Sequence, residues 1–490
     1  MITADRMAAV DANAAALGIP RKQLMESSGN AVARVVRRLA DPGGRVVLVC
    51  GRGNNGGDAF VAARFLDRYD TETVLLGRPR EIGTDIAAEN WDALQAAELP
   101  TTAITDSTAI DDFDLASADC VVDAIVGTGV TGELREPEAT AARAINATDV
   151  TVVAVDVPSG IDADTGEAAG VAVDADHVVT FHDTKPGLAA LDSDVTVADI
   201  GIPPAAERFV GPGDLPDTRR IPASHKGDHG ELLVVGGGPY TGAPALAGQA
   251  ALRAGADLVH IACPASVAAT IQSYSENLIV HPFAGERFTP DAVEPCVDLA
   301  ADVDAVVLGP GLGDHPDTLA AVDVFLSSVS GRVVVDADAL AVVPDVDTEA
   351  SLLCTPHQGE LVSMGGETAA DWEERAACVD EFVTELGVTL LVKGAYDIAS
   401  APTRSNGADD TPTTRINRTG TPAMTVGGTG DVLAGVVGSL FTRHDSLTAA
   451  AVGAYVTGLA GERAAKDHQH GLVATDLLDW LPESFGRTNE

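Results

Sequence analysis

Lysine is scarce in this chain: five in 490 residues, Lys22, Lys185, Lys226, Lys393 and Lys466. Lysine and arginine together number 31 against 73 aspartates and glutamates, a net charge of −42. So few cations argue against the basic patches on which nucleic-acid binding depends. The acids are spread along the chain and form no tail, so disorder is not the explanation. Such a surface resembles that of a protein adapted to a high-salt cytoplasm, where screening removes much of the self-repulsion. Cysteine is sparse as well. Cys50, Cys120, Cys263, Cys296, Cys354 and Cys378 show neither C-x-x-C spacing nor disulfide density, which implies a reducing, cytoplasmic compartment. No Cys/His grouping has zinc-ligand spacing. No apolar run approaches the roughly 18–20 residues of a membrane span, and the first residues show no basic region followed by an apolar core, so no secretory signal is expected. The Walker pattern G-x-x-x-x-G-K-[ST] is absent too, which disfavours a P-loop kinase or ATPase.

What is present is enough apolar residue, 46%, for a chain longer than one hydrophobic core usually serves, and hence two domains. The Pro- and Gly-rich stretch from Ile202 to Ser224 carries the boundary, placed at 215, giving domains 1–215 and 216–490. In the first, two helices broken at Gly18-Ile-Pro20 precede a strand, Arg45–Cys50. A loop, Gly51-Arg-Gly-Asn-Asn-Gly-Gly-Asp-Ala59, follows, then a helix from Phe60 to Tyr69. Strand, glycine loop and helix form the unit that places ligands at the carboxyl end of a parallel strand. The two asparagines set it apart from the dinucleotide fingerprint and offer donors and acceptors to a ligand or a cation. Further strand ends carry Asp123 before Gly127-Thr-Gly129, and Asp156 before Val157-Pro-Ser159. Asn55, Asp123, Asp156 and Ser159 are expected to converge on one crevice, with oxygens suited to a hard cation. Lys185 reads equally as a site residue or a turn residue.

The second domain begins at His225-Lys-Gly-Asp-His-Gly230. Six apolar runs follow, most ending in a polar or glycine signature: Gly236-Gly-Gly, Gly309-Pro-Gly-Leu-Gly313, Asp336-Ala-Asp338, Thr355-Pro-His357 and Lys393-Gly394. With helices between them they predict a second three-layer α/β domain. The insert from Ala401 to Thr414 is expected to be an exposed hairpin or loop without function. Near the end stands Thr425-Val-Gly-Gly-Thr-Gly-Asp431 before an apolar run. Glycines admit a close ligand, and free N–H groups at a helix start favour phosphate. Asp431 is then either a helix-starting carboxylate or a base beside a phosphate. The helix start would keep it ionised. His357 and Asp338 are candidate ligand contacts, although a strand-end histidine also serves as a hydrogen-bonded turn residue.

Taken together, Asn54-Asn-Gly-Gly-Asp58, Asp123-Ala-Ile-Val-Gly-Thr-Gly129, Asp156-Val-Pro-Ser-Gly-Ile-Asp162, His225-Lys-Gly, Gly309–Gly313, Asp336–Leu340, Thr355–Glu360, Lys393-Gly394 and Gly427–Asp431 resemble the bifunctional NAD(P)H-hydrate repair enzymes, of haloarchaeal type. The resemblance covers nearly the whole chain. It implies an N-terminal Rossmann-like epimerase domain and a C-terminal ribokinase-like α/β dehydratase domain. The first would interconvert R and S forms of NADH and NADPH hydrated at nicotinamide C6. Its substrate contacts map to Asn54, Asn55, Gly56, Gly57 and Asp58, to Gly127, Thr128, Gly129, Val130, Thr131, Gly132 and Glu133, and to Asp156, the choice for proton transfer. Its potassium ligands map to Asn55, Asp123 and Ser159. The second would dehydrate the S form with ADP, releasing AMP and phosphate. Asp431 is its implied base, Ala243, Leu312 and His357 touch the hydrate, and Gly430 with neighbouring amides holds the nucleotide phosphates. Lys393, Gly394, Ala395, Tyr396, Asp397 and Ile398 line the AMP portion. Magnesium is expected with the nucleotide, with no ligand set named, and a homo-oligomer is expected that binds neither nucleic acid nor membrane.

Two departures stand out: Ala59 where the family has a final glycine, and Ala423 where a glycine is common. A methyl group is a small change at either place. Two competing readings stay open. One is a ribokinase-like kinase of a small hydroxylated metabolite or vitamin, which leaves the first domain's loops unexplained. The other has one half catalytically silent, as a binding or oligomerisation module.

Overall fold

The computed structural model describes all residues except 111–112, 130–131, 218–219, 221–222, 404–410 and 487–490. It has two compact units, Met1–Ala206 and Glu207–Glu490. The division falls ahead of 215 because the intervening segment packs into the second unit. Phe209 bridges to Ile416, Val210 N–H donates to Ile416 O at 2.9 Å, and Val210 and Leu215 are buried in that unit's core.

Among the described residues the first unit has one parallel sheet of seven strands, in the order β3-β2-β1-β4-β5-β6-β7. These are β1 (Arg45–Cys50), β2 (Asp70–Leu76), β3 (Thr101–Ile104), β4 (Cys120–Ala124), β5 (Thr151–Val155), β6 (His177–Phe181) and β7 (Asp194–Ala198). Valine-rich runs form strands covered on both faces. In β1, Val46 and Leu48 face one core with Val32, Val36 and Phe60, while Val47 and Val49 face another with Ala142 and Ile145. The order reverses between β1 and β4, which makes their carboxyl ends the switch-point crevice. The helix expected from Phe60 starts earlier and spans Asn54–Phe65. Gly56 explains the early start: a Cβ there would lie 2.1 Å from Gly51 O, so only glycine lets the first turn fold back onto the strand end. Ala59 is wholly buried within this helix.

The second unit's sheet has nine strands, in the order β10-β9-β8-β11-β12-β13-β14-β15-β16, among the described residues. Three were not among the six predicted runs: β10 (Ile279–Phe283) and the antiparallel pair β15 (Asp397–Ala401) and β16 (Thr413–Asn417). The others are β8 (Glu231–Val235), β9 (Leu258–Pro264), β11 (Ala305–Leu308), β12 (Arg332–Val335), β13 (Ser351–Cys354) and β14 (Thr389–Val392). The insert expected to be an exposed hairpin or loop thus joins two sheet strands, and its centre lies outside the described residues. Leu232 and Val234 pack with helices Gly242–Arg253, Thr429–Phe441, Ser446–His468 and Ala474–Ser484, and Leu233 and Val235 with helices Pro316–Ser328 and Trp372–Leu386. Helix Thr429–Phe441 lies close against Gly242–Arg253, since a Cβ on Gly435 would sit 2.0 Å from Ala247 O. Among the described residues no helix is long and apolar enough to cross a membrane.

Candidate active sites

In the first unit the ends of β1, β4, β5 and β6 assemble two linked groups. Asp123, wholly buried at the end of β4, accepts from Ser159 Oγ at 2.6 Å, from Ser159 N at 2.8 Å and from Ile125 N at 3.3 Å. Ser159 Oγ also accepts from Val126 N at 3.0 Å, and Asn55 Nδ2 donates to Val126 O at 3.0 Å. Asn55, Asp123 and Ser159 are therefore neighbours, joined through Val126. Burial raises the Asp123 carboxyl to about 6, against the pull of its Ser159 and Ile125 hydrogen bonds. Among the described residues no basic side chain offsets that carboxylate.

The second group centres on Asp156, which sits just after β5 with φ 66. Its Oδ1 lies 2.8 Å from Lys185 Nζ and accepts from Thr180 Oγ1 at 3.1 Å. Lys185, left open as site or turn residue, is wholly buried against this carboxylate. Asp58 is buried, and its carboxyl is raised well above the ordinary value by desolvation and by the charges of Asp156 and Asp11. Asp11, on helix Ala4–Ala16, is raised to about 6, chiefly by burial. Nothing in an amphipathic N-terminal helix marks Asp11, and only the tertiary fold delivers it here. Asn54 is exposed, its Oδ1 accepting from Thr84 Oγ1 at 2.8 Å. Gly57 is packed so closely that a Cβ would lie 2.7 Å from Met25 Cε. Gly127 is placed so that a Cβ would lie 3.2 Å from Asn55 Oδ1. Thr128 is half-buried, Gly129, Gly132 and Glu133 are exposed, and Val130 and Thr131 lie outside the described residues.

In the second unit the ends of β11, β12, β13 and β14 meet the start of helix Thr429–Phe441. Gly428, its N-cap, has φ 95. The first backbone bond into the helix is Val432 N–H to Gly428 O at 3.1 Å, so the amides of Thr429, Gly430 and Asp431 are left to face an anion. Lys393 Nζ reaches over this turn and lies 3.6 Å from where a Gly430 Cβ would be. It donates to Asp336 Oδ1 at 3.0 Å and stands 3.8 Å from Glu360 Oε2. Asp336 is nearly fully buried and also accepts from Thr355 Oγ1 at 2.7 Å. Burial alone would lower the Lys393 ammonium, but Asp336, Glu360 and Asp431 together raise it.

Asp431 differs from the expectation that its helix start keeps it ionised. Desolvation first, then the Asp336 charge, raise its carboxyl to about 7, with Lys393 opposing. Burial outweighs the helix dipole, and the result is a group poised near neutrality, as a general base should be. Sequence reading gave Asp336 no role, although its place at the end of a valine run was the available signal.

His357 caps helix Gln358–Ser363. Its Nδ1 accepts from Glu360 N at 3.0 Å, while the ring stays exposed. It bridges to Lys393 through the backbone. Among the residues assigned to the AMP portion, Gly394 and Ala395 are exposed and Tyr396 stacks on Trp372 at 5.3 Å. The Asp397 carboxylate ties the loop, accepting from Gly394 N at 2.8 Å and Asn417 Nδ2 at 2.9 Å. Ile398 is wholly buried in the core. Leu312 lines a cavity of about 450 Å³ with Gly238, Arg287, His315 and Thr318. Ala243 adjoins the same glycine loop, 3.3 Å from the Cβ position of Gly311. Asp338 is exposed, and its carboxyl is raised by partial desolvation and by the neighbouring charges of Asp314 and Asp336.

Comparison with known proteins gives both halves a family. Residues 232–483 match the NAD(P)H-hydrate dehydratase model, and residues 21–187 match that of the YjeF-related protein N-terminus. The bifunctional NAD(P)H-hydrate repair enzyme Nnr of Pyrobaculum aerophilum is 43% identical, over 99% of this chain and 98% of its own. That of Methanothermobacter thermautotrophicus is 41% identical, over 97% and 93%. Among solved structures, the ADP/ATP-dependent NAD(P)H-hydrate dehydratase of Bacillus subtilis, co-crystallised with ATP and Mg2+, is 28% identical over 55% of this chain and 92% of that one, with TM-score 0.46. A ribokinase-like superfamily protein of Enterococcus faecalis V583 is 21% identical over 57% and 95%, with TM-score 0.48. Full-length identity of this order, with a family model on each half, shows that the chain belongs to the bifunctional NAD(P)H-hydrate repair enzymes, which join an epimerase to a dehydratase.

Proposed function

We propose that the second unit dehydrates the S hydrate of NADH and NADPH with ADP as phosphoryl donor and Asp431 as base. The observation that carries this reading is Lys393 and Asp431 converging on the free amides of Thr429 and Gly430. Those amides and the Lys393 ammonium hold the diphosphate. Asp431 takes the proton from the hydrate's hydroxyl as its oxygen attacks the terminal phosphorus, releasing AMP. The carbon–oxygen bond then breaks with its electron pair leaving on phosphate. The ring nitrogen's lone pair assists, and loss of a proton from the neighbouring ring carbon restores the dihydronicotinamide. Phosphorylation is needed because hydroxide leaves poorly. Leu312, Ala243 and His357 face the hydrate, and Gly394 to Tyr396 the AMP portion. Magnesium accompanies the nucleotide. The described residues hold no group of three or more His, Cys, Asp or Glu side chains able to cage a metal ion, which favours an ion carried on phosphate oxygens and water.

The first unit epimerises the hydrate, with Asp156 moving the proton. Potassium fits at Asn55, Asp123 and Ser159, because the buried Asp123 carboxylate has oxygen neighbours and, among the described residues, no cationic side chain acting on it. When bound, the ion supplies a fixed positive charge that orders the β4 and β5 loops. The test of the dehydratase assignment is stoichiometry. Pure S hydrate with ADP should yield NADH, AMP and phosphate in equal amounts, and Asp431→Ala should bind ADP while yielding almost none of the three. A variant as active as the parent would overturn it.

A further inference from the structure

The first unit contains a buried lysine set against the Asp156 carboxylate. Lys185 is 0% exposed. Its ammonium is held by Asp156 Oδ1 at 2.8 Å, Thr180 Oγ1 at 2.8 Å, Phe181 O at 2.9 Å and Asp183 O at 3.3 Å. A buried ammonium is stable only when paired and hydrogen-bonded, and a hydrophobic residue of similar volume would usually be at least as stabilising. In a chain with five lysines, this one is spent on a single carboxylate, displayed at φ 66 beyond the end of β5.

The neighbouring carboxyl has the opposite surroundings. Asp58, on helix Asn54–Phe65, is buried too, yet among the described residues no basic group acts on it: desolvation and the negative charges of Asp156 and Asp11 all disfavour its ionised form. Two acids share one crevice, one clamped to an ammonium and one facing only other acids. Carboxyl pairs whose environments push them apart are the usual arrangement for an acid and a base working together.

Resting on the reading of Asp156 as a proton-transfer group, we propose that Lys185 is a positioning residue that holds the Asp156 carboxylate in place as the base, with Asp58 supplying the proton from the other side of the crevice. Asp58 gives its proton to the C6 hydroxyl. The C6–O bond breaks, its electron pair leaving with water, and the ring nitrogen's lone pair closes a C6=N bond. Water adds to C6 from the other face, its oxygen supplying the electron pair, and Asp156 takes the proton released. Atoms and charge balance: one hydrate becomes its epimer, and one proton has passed from Asp58 to Asp156. The pair resets through solvent or by handling the next molecule in the opposite sense, which suits a reaction whose reverse is chemically the same.

Asp11 on helix Ala4–Ala16 is the further charged group acting on Asp58. Asp11 itself feels Arg21 at the start of helix Arg21–Leu39, Lys185 and His182. Asp183 reaches Lys185 through its backbone carbonyl, its carboxylate being paired with the Met1 amine. The test follows formation of the R epimer from pure S hydrate, without nucleotide, by chromatography across pH 5 to 9, with thermal unfolding to check that each variant folds. Asp58→Asn keeps a neutral hydrogen-bonding group but no acid, and should lower kcat at least a hundredfold with little change in KM. Lys185→Met should move the acid-side limb of the pH profile upward by a unit or more, with activity partly recovered at high pH. If Lys185→Met unfolds, Lys185→Arg takes its place, and its acid-side limb should stay with the parent's. An Asp58→Asn variant within threefold of the parent, or a Lys185→Met profile matching it, would overturn the proposal. Full activity of Asp156→Asn would instead remove the underlying reading of Asp156.

Discussion

Replacing Asp431 by asparagine tests the second site through stability as well as rate. Its carboxyl is raised from 3.8 to about 7 by burial and by Asp336. The folded form therefore binds a proton more tightly than the unfolded one, and ionised Asp431 opposes folding. Three units at 1.36 kcal/mol each set a ceiling on the order of 4 kcal/mol. The sign is fixed by linkage: below about pH 4 the carboxyl is protonated in both states and the term vanishes, between about 4 and 7 it grows, and above 7 it is fully present. Asp431→Asn should therefore raise the unfolding temperature of the second unit at pH 8 by several degrees, with the gain shrinking towards pH 4. The same variant should lose about 10² to 10⁴ in dehydratase turnover, the range for a general base, while binding ADP normally. Scanning calorimetry at pH 4.5, 6 and 8 beside NADH formation gives both readouts. A variant less stable at pH 8, or stabilised equally at every pH, would refute the burial argument.

Other outcomes follow from the same geometry. Lys393→Met leaves Asp336 buried without its cation and should cost about 3–5 kcal/mol together with nucleotide affinity; the double variant with Asp336→Asn should regain stability but not activity, by denaturant titration and nucleotide binding. Gly435→Ala puts a Cβ 2.0 Å from Ala247 O and should destabilise the second unit by about 1–3 kcal/mol or more, seen as a lower temperature of dehydratase inactivation. Replacing potassium by choline should slow epimerisation by the parent protein and leave Ser159→Ala, already slow, unchanged.

Much of this arrangement was legible in the chain because strand-end signatures are local. Gly51-Arg-Gly-Asn-Asn, Asp123, Asp336, Lys393 and Gly427–Asp431 each follow a valine- or leucine-rich run or open a helix, and parallel strands bring their carboxyl ends to one edge. The missing pieces were non-local. β10 and β16 are the sheet edges, where the burial pattern weakens, as in Ile279 and Thr413, both exposed. β15 is mostly buried, but its run Asp397-Ile-Ala-Ser-Ala401 holds a single β-branched apolar residue and gives little strand signal. Asp11 reaches its crevice only through helix packing, and Lys185 becomes a site residue only because Asp156 turns back to meet it. The charge state of Asp431 also escaped sequence reading, since a helix-start argument carries no information on how dry the site is.

The most direct test of the whole account gives the full-length protein an equal mixture of R and S hydrates with ADP. Two working sites predict complete conversion to NADH, with one AMP and one phosphate for each molecule repaired. Conversion that stops once the S form is gone would contradict the role given to Asp156 and its crevice. NADH appearing without matching AMP would contradict that of Asp431.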